Sequence, residues 1–144
     1  MSKEVDILKY PLEKDDERGY MFRPIYYSFK DFNIMDENYP LGDVKNLHIV
    51  SAEPGVVRGE HFHKEQIEYL VVMGGKIEFR WKLYGSESIN EEIIDASQPY
   101  LFRVHPNVIH SFKNISDNTI YIICYSKCQP IKEPDSYKIN EFHT

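Results

Sequence analysis

The chain has 144 residues and a formal net charge of −6, from 17 basic and 23 acidic residues. This length favours a single domain over 1–144, with an N-terminal arm over about 1–17 and a C-terminal tail over about 128–144. The acidic balance excludes the basic footprint of a nucleic-acid-binding protein. Since no apolar run is long enough for a signal peptide or a membrane span, we expect a cytoplasmic protein with no membrane partner.

The composition indicates a β-rich chain with many turns, because 11 Tyr, 8 Phe, 8 Pro and 7 Gly are present. Cys124 and Cys128 are the only cysteines in the sequence. Two cysteines at this spacing do not make a disulfide framework, so we expect reduced thiols.

Predicted strands follow one another along the chain with turns between them. They cover 20–29, 45–52, a hairpin over 55–75, then 75–84, 91–95, 100–104, 108–112 and 119–126, with a loop over 31–43. In 75–84 the residues Ile77, Phe79, Trp81 and Leu83 alternate with charged residues, which is typical of a half-buried strand. No segment has a helical period. Many short strands with regular turns predict an all-β sandwich or barrel.

The hairpin carries the most informative motif, two histidines and a carboxylate between two glycines. His61 and His63 point to the same face if the segment is a strand, because side chains alternate with a period of two. Glu68 then returns on the neighbouring strand, and His110 follows a turn further along the chain. Imidazoles with one carboxylate suit a divalent metal such as zinc, iron, manganese or nickel.

These residues resemble the first motif of the cupin superfamily, G-x5-HxH-x4-E-x6-G. Gly55, His61, His63, Glu68 and Gly75 are all in register with it, and the second motif is matched loosely around His110. The resemblance implies the cupin double-stranded β-helix, a jelly-roll barrel. It also implies a metal, zinc in the first place, on His61, His63, Glu68 and His110, and by analogy a homodimer.

Within the superfamily, the string RGEHFHK resembles sugar-nucleotide 3,5-epimerases and 3,4-ketoisomerases. The hairpin is also similar to the zinc cupin domain of capsular polysaccharide reductase/epimerases. The resemblance implies an epimerase or isomerase that acts on a nucleotide-linked keto-deoxysugar in cell-surface polysaccharide biosynthesis. It also implies that His61 and His63 are catalytic residues where they do not bind a metal. Arg18, Arg58 and Lys64 are then the residues that bind the substrate.

The position that matches the acid tyrosine of the epimerases holds Ile123. Tyr121 and Tyr125 flank it on one strand face and are the candidate acids, although aromatics of the barrel wall are the more ordinary explanation.

The predicted chemistry needs a base to remove an acidic α-proton and a positive partner for the resulting enediolate oxygen. Histidine suits the first role, and a divalent ion suits the second. If all four cluster residues bind metal, none of them is free as a base. His48, on the preceding strand, is a further candidate whose orientation the sequence does not fix.

Three alternatives remain open at this point. The chain could be a metal cupin of other chemistry, such as a dioxygenase or a phosphosugar isomerase. It could bind a sugar without catalysis. It could also lack metal and use its histidines for acid–base work or packing.

Overall fold

The computed structural model describes residues 4–24, 44–127 and 135–139, and within them every regular element is a β-strand. The strands are β1 Val5–Lys9, β2 Lys14–Asp16, β3 Gly19–Met21, β4 Asn46–Ala52, β5 Val57–Phe62, β6 Glu68–Met73, β7 Gly75–Leu83, β8 Asn90–Ala96, β9 Tyr100–Val104, β10 Val108–Asn114, β11 Ile120–Ser126 and β12 Tyr137–Lys138. No helix in these ranges is long and apolar enough to cross a membrane.

Two five-stranded sheets face each other, and all strand pairs are antiparallel. The first sheet has the order β1-β9-β6-β11-β4, and the second has the order β12-β5-β10-β7-β8. A separate hairpin pairs β2 with β3. The predicted all-β jelly-roll class is therefore confirmed.

The main core lies between the sheets, where alternate residues of each strand point inward. On β7, Ile77 and Phe79 are fully buried while Lys76 is exposed, as the alternation in 75–84 predicted. Phe79 packs against Phe102 and Phe112 with ring centroids 4.8 Å away in both cases. Burial of such rings is the main source of stability in a domain of this size.

A second apolar cluster covers the outer face of the first sheet. Its buried members are Tyr10, Tyr69, Val71, Leu101 and Tyr125. The N-terminal segment contributes to it, and β1 pairs with β9 from Val5 opposite Val104 to Lys9 opposite Tyr100. Within the predicted arm over about 1–17, residues 5–9 form an edge strand of the first sheet and 14–16 belong to the β2–β3 hairpin, while 1–3 lie outside the described residues.

Several predicted elements fall partly or wholly outside the described residues. The strand predicted over 20–29 is represented by β3, and its part from 25 onward lies outside them, as do the loop 31–43 and Cys128. The C-terminal tail predicted over about 128–144 contains described residues at 135–139. Among these residues, Tyr137 and Lys138 pair with β5.

A β-bulge interrupts the pairing of β5 with β10 immediately before the histidine motif. His110 lies opposite His61, but the next residue, Ser111, lies opposite Gly59, which leaves Glu60 as the extra residue. Gly59 has a φ of 99° and Glu60 a φ of 61°. A Cβ at position 59 would lie 2.8 Å from the carbonyl oxygen of His110, so glycine is required there.

Candidate metal centre and cavity

Three strands bring the predicted cluster together at one end of the barrel. His61 lies near the end of β5, His63 follows that strand, Glu68 begins β6, and His110 lies on β10 beside His61. β5 and β10 are neighbours in the second sheet, while β6 belongs to the first, so Glu68 faces the imidazoles across the barrel. Four predicted residues therefore converge from both sheets.

All three imidazoles direct Nε2 toward the Glu68 carboxylate. The distances to its oxygens are 3.1 Å from His110, 3.3 Å from His63 and 3.7 Å from His61. The imidazole centroids are 4.7 Å apart for His61 and His110 and 5.1 Å apart for His61 and His63. The potential ligand atoms of the four residues all lie within 4.8 Å of one another.

Backbone carbonyls fix the orientation of the two buried histidines. Nδ1 of His110 lies 3.0 Å from the carbonyl oxygen of Val108, and Nδ1 of His63 contacts the carbonyl oxygen of Asp135. A carbonyl only accepts, so in each ring Nδ1 is the protonated nitrogen and Nε2 of the neutral ring presents its lone pair to the centre. This is the usual arrangement behind a metal-binding histidine.

Burial and mutual charge shift the titration of the cluster. Burial alone would raise the pKa of Glu68, but the imidazoles of His110, His61 and His63 hold that pKa well below its usual range. Burial lowers the pKa of His110. For His63 burial also acts to lower the pKa, but the facing Glu68 carboxylate outweighs it and the pKa is raised. Glu68 is therefore the anionic centre of the group.

The donor set fits a divalent cation. Nε2 of His63 is buried and has no hydrogen-bond partner, and a neutral His110 would point a lone pair at a carboxylate oxygen. Ligands bound at about 2.0–2.1 Å in a tetrahedral site lie about 3–4 Å from one another, which includes the three imidazole–carboxylate distances. A cation at the centre would satisfy these electron pairs at once, and His61, His63, Glu68 and His110 could hold it.

A cavity of about 320 Å³ opens beside the cluster. Its lining includes His48, Val50, Val57, Arg58, Gly59, His61, Glu68, Leu70, His110, Phe112, Ile122, Cys124 and Lys138. We call His63, Glu68 and His110, which are buried, the floor of the site. We call His48, Arg58 and Lys138, which are exposed, its mouth. The side chain of His61 is 25% exposed and lies between them.

The predicted substrate-binding residues are placed differently from one another. Arg58 lines the cavity, and its Nε donates to the carbonyl oxygen of Ser51 at 2.9 Å. Arg18 lies on the β2–β3 hairpin in an exposed ion pair with Asp16, at 2.8 Å. Lys64 is exposed, with Nζ 4.3 Å from the ring centroid of Tyr137. The structure thus brings Arg58 to the cavity and leaves Arg18 and Lys64 outside its lining.

Tyr121 and Tyr125 do share one strand face, but it is the outer face of the first sheet. Tyr121 is 48% exposed, and Tyr125 is buried in the second apolar cluster, where it stacks on Tyr69 with centroids 5.4 Å apart. The inward residues of β11 at the cavity are instead Ile122 and Cys124. We therefore assign no catalytic role to either tyrosine.

The sequence left three cavity residues without a settled role in the site: His48 was a candidate of unknown orientation, and Lys138 and Cys124 had no assigned role. His48 points to the cavity, which settles the orientation that the intervening turn had hidden. Lys138 reaches it because β12 pairs with β5 and places Lys138 opposite His61; no local pattern reports such a long-range pairing. Cys124 is buried at the cavity wall, and desolvation raises the pKa of its thiol, so it stays protonated.

A barrel of two antiparallel sheets with a cluster of three histidines and one glutamate at one end has the cupin-type jelly-roll fold. The chain belongs to the family described as polysaccharide biosynthesis C-terminal domain, whose model matches residues 35–137. A sequence search of curated proteins gives no match.

Solved structures with the same fold include sugar-modifying enzymes. The dTDP-4-dehydrorhamnose 3,5-epimerase from Sulfolobus tokodaii has a TM-score of 0.66 and 18% identity, over 100% of this chain and 84% of its own. A mutant of the 3,4-ketoisomerase QdtA from Thermoanaerobacterium thermosaccharolyticum, in complex with TDP-4-keto-6-deoxyglucose, has a TM-score of 0.58 and 15% identity, over 98% and 85%. At these identities the likeness concerns the fold.

The capsular polysaccharide assembling protein CapF from Staphylococcus aureus is a further structural relative. Its TM-score is 0.62 with 20% identity, over 92% of this chain and 35% of that protein. The chain therefore spans about a third of the length of this relative.

Proposed function

We propose that this chain is a metal-binding epimerase or isomerase that acts on a nucleotide-linked keto-deoxysugar in polysaccharide biosynthesis. The observation that carries the proposal is the cavity that joins the cluster of three histidines and one glutamate to the cationic side chains of Arg58 and Lys138. The family description and the fold shared with a 3,5-epimerase and a 3,4-ketoisomerase support it. Zinc is the first candidate metal, because imidazole and carboxylate ligands suit it.

In this proposal the floor and His61 have separate roles. His63, Glu68 and His110 would hold the metal, since they are buried and two of them are oriented by backbone carbonyls. Three protein ligands with a position open to the cavity is the pattern of catalytic zinc sites. When bound, a divalent cation would supply Lewis-acid stabilisation of a developing enediolate oxygen.

His61 is then the proton acceptor of the proposed reaction. It is the histidine farthest from Glu68, at 3.7 Å, and the one most open to the cavity, so its Nε2 can turn toward a bound sugar. Imidazole titrates near neutral pH, which suits removal of a proton next to a keto group. The guanidinium of Arg58 would hold the diphosphate by charge-assisted hydrogen bonds and fix the sugar over His61.

The protein surface at the mouth suits an anionic ligand despite the net charge of −6. Arg58 and Lys138 line the opening, and His48 joins them with Nδ1 3.1 Å from Oδ1 of Asn46. A local group of cations within an acidic protein attracts an anion to that one place. Arg18 and Lys64, which the sequence predicted to bind the substrate, do not line this cavity in the described chain and have no part in the proposed ligand site.

The decisive experiment is hydrogen exchange into TDP-4-keto-6-deoxyglucose in D2O, followed by NMR. The wild type should incorporate deuterium next to the keto carbon, and His61→Ala should abolish it while retaining metal. Elemental mass spectrometry on the same samples identifies the metal. An absence of exchange with this and related keto-sugar nucleotides would refute the enzymatic proposal.

A second candidate is a domain that binds a sugar nucleotide without turnover. It is favoured by the placement of Tyr121 and Tyr125 on the outer face, which leaves the cavity lining of the described chain without a tyrosine acid. Binding of the same ligand without deuterium incorporation would support this candidate. The homodimer and the cytoplasmic location stay predictions.

A further inference from the structure

The segment 135–139 lies at the edge of the second sheet, beside the strand that leads into the cluster. Tyr137 pairs with Phe62 and Lys138 with His61, and the backbone N–H of Ile139 donates to the carbonyl oxygen of Glu60 at 2.8 Å. We call this segment the C-terminal strap. It runs alongside β5, which carries His61 and ends one residue before His63.

Asp135, at the start of the strap, caps the turn between His63 and Glu68 with its side chain. Its carboxylate accepts hydrogen bonds from three consecutive backbone N–H groups, of Lys64 at 2.9 Å, Glu65 at 2.9 Å and Gln66 at 3.1 Å. These are charge-assisted bonds to one carboxylate, and together they restrain the turn that joins two candidate ligands.

The backbone of the same residue holds the imidazole of His63. The Asp135 carbonyl oxygen accepts from Nδ1 of His63, which fixes both the ring plane and the protonated nitrogen. The side-chain nitrogen of Gln66 also lies 2.9 Å from this Nδ1, while Gln66 Oε1 is buried without a hydrogen-bond partner. With the side-chain amide flipped, Oε1 accepts a hydrogen bond from Nδ1 of His63. Nε2 is thereby left facing Glu68.

We propose that Asp135 is a positioning residue of the candidate metal site, which holds His63 with Nε2 directed at the centre and caps the turn that leads to Glu68. This inference rests on the metal site of the proposed function. Partners behind a ligating histidine commonly change metal affinity by about 10–100-fold when they are removed.

The strap has other anchors, so a change at Asp135 acts locally. Tyr137 stacks on Phe62 with centroids 5.3 Å apart, and Ile139 packs against the buried pair Phe62 and Ile109. These apolar contacts lie on the outer face of the second sheet, away from the carboxylate of Asp135. The far end of the strap should therefore stay paired in an Asp135 variant.

The test compares Asp135→Ala and Asp135→Asn with the wild-type full chain and with Asp117→Ala. Asp117 is an exposed acidic residue, so its variant has the same change in net charge as Asp135→Ala. Zinc and cobalt affinities are measured by competition with a chelator. We expect Asp135→Ala to bind about 10–100-fold more weakly, Asp135→Asn to lie between, and Asp117→Ala to match the wild type.

Hydrogen exchange and imidazole NMR separate positioning from a loss of folding. In Asp135→Ala the amides of 64–66 should exchange faster while the core strands keep wild-type protection. Asp135→Ala keeps the backbone carbonyl but removes the carboxylate that anchors it to the turn 64–66. Long-range nitrogen–proton spectra of the metal-free protein, at a pH high enough to keep the imidazole neutral, should show His63 protonated on Nδ1 in the wild type and a mixture of tautomers in the variant.

Metal affinity within twofold of wild type in Asp135→Ala would overturn the inference while leaving the metal site intact. If the wild type binds no metal, the metal-binding part of the proposed function is refuted. The inference about Asp135 is then tested by the tautomer of His63 alone. An unchanged tautomer in Asp135→Ala would then overturn it, and a changed one would support it.

Discussion

The floor and the mouth of the site differ in how their side chains are held. On the floor, Nδ1 of His63 and of His110 each meets a backbone carbonyl, and Glu68 is surrounded by imidazoles. At the mouth, Arg58 and Lys138 are exposed, and Arg58 donates one hydrogen bond to a carbonyl oxygen. A rigid floor suits a fixed ion, whereas adaptable cations suit a ligand that enters and leaves.

The comparison predicts that floor and mouth variants separate metal binding from ligand binding. His110→Ala should weaken metal binding by more than the roughly 10–100-fold that is typical when a residue behind a ligand is removed. At a metal concentration about 100 times Kd, the wild type gains about 2.7 kcal/mol in its free energy of unfolding, and the variant should lose this gain. Thermal unfolding with and without zinc measures it.

His48→Ala is the matched control, because it removes an imidazole from the same cavity at the mouth. It should keep the stabilisation by zinc. Equal losses in His48→Ala and His110→Ala would contradict the division between floor and mouth.

At the mouth, Arg58→Ala and Lys138→Ala should weaken binding of thymidine diphosphate and leave metal affinity unchanged. A hydrogen bond to a charged group contributes about 1.5–3 kcal/mol, which corresponds to roughly 10–150-fold in Kd. Isothermal titration calorimetry measures it, with Lys76→Ala as an exposed lysine control on β7. Affinity for thymidine diphosphate that survives both changes would remove these cations from the ligand site.

The pH dependence of stability should depend on whether metal is present. The lowered pKa of Glu68 gives the metal-free protein stability above its ordinary value of 4.5, and this is lost as the pH falls through the folded-state pKa. The raised pKa of His63 gives stability below its ordinary value of 6.5, and this is lost as the pH rises through the folded-state pKa. With metal present, the stability should instead rise with pH through this range, because metal binding requires a neutral imidazole.

Urea unfolding from acidic to mildly alkaline pH, with chelator or with zinc, checks this expectation. With chelator, the contribution of His63 should decline above pH 6.5, and His63→Gln should flatten the decline. The prediction fails if the chelated wild type and His63→Gln have parallel profiles.

The smallest effect is expected for Tyr137, whose ring lies on the outer face of the second sheet. Tyr137→Ala removes stacking on Phe62 and the contact with Lys64 Nζ, and should reduce the free energy of unfolding by about 1 kcal/mol. Tyr121→Ala is the control, since this side chain is exposed on the other sheet.

Loss of deuterium exchange in Tyr121→Ala would restore the catalytic role that the sequence predicted for Tyr121.

Local patterns predicted the parts of the site that depend on strand period and motif spacing. His61 and His63 share a face because two residues separate equal orientations in a strand, and Glu68 and His110 join them as expected. Alternation in 75–84 likewise predicted the inward side chains of β7. These features need only a few consecutive residues to be visible.

The remaining site residues depend on contacts between distant parts of the chain. Lys138 reaches the cavity only through the pairing of β12 with β5, and Asp135 contacts a residue 70 positions earlier, Glu65. The orientation of His48 was hidden by the turn that precedes β5. Tyr125 was placed on the right strand, but the cluster on the outer face of the sheet decides where it points.

The bulge at Gly59 and Glu60 has a consequence for how substitutions in this protein would be read. Any side chain at position 59 would push against the carbonyl of His110, a residue from another strand and a candidate ligand. A saturation mutagenesis screen would therefore score Gly59 as intolerant as the histidines, although it has no donor atom in its side chain. Intolerance at that position would report backbone geometry and carry no information about chemistry.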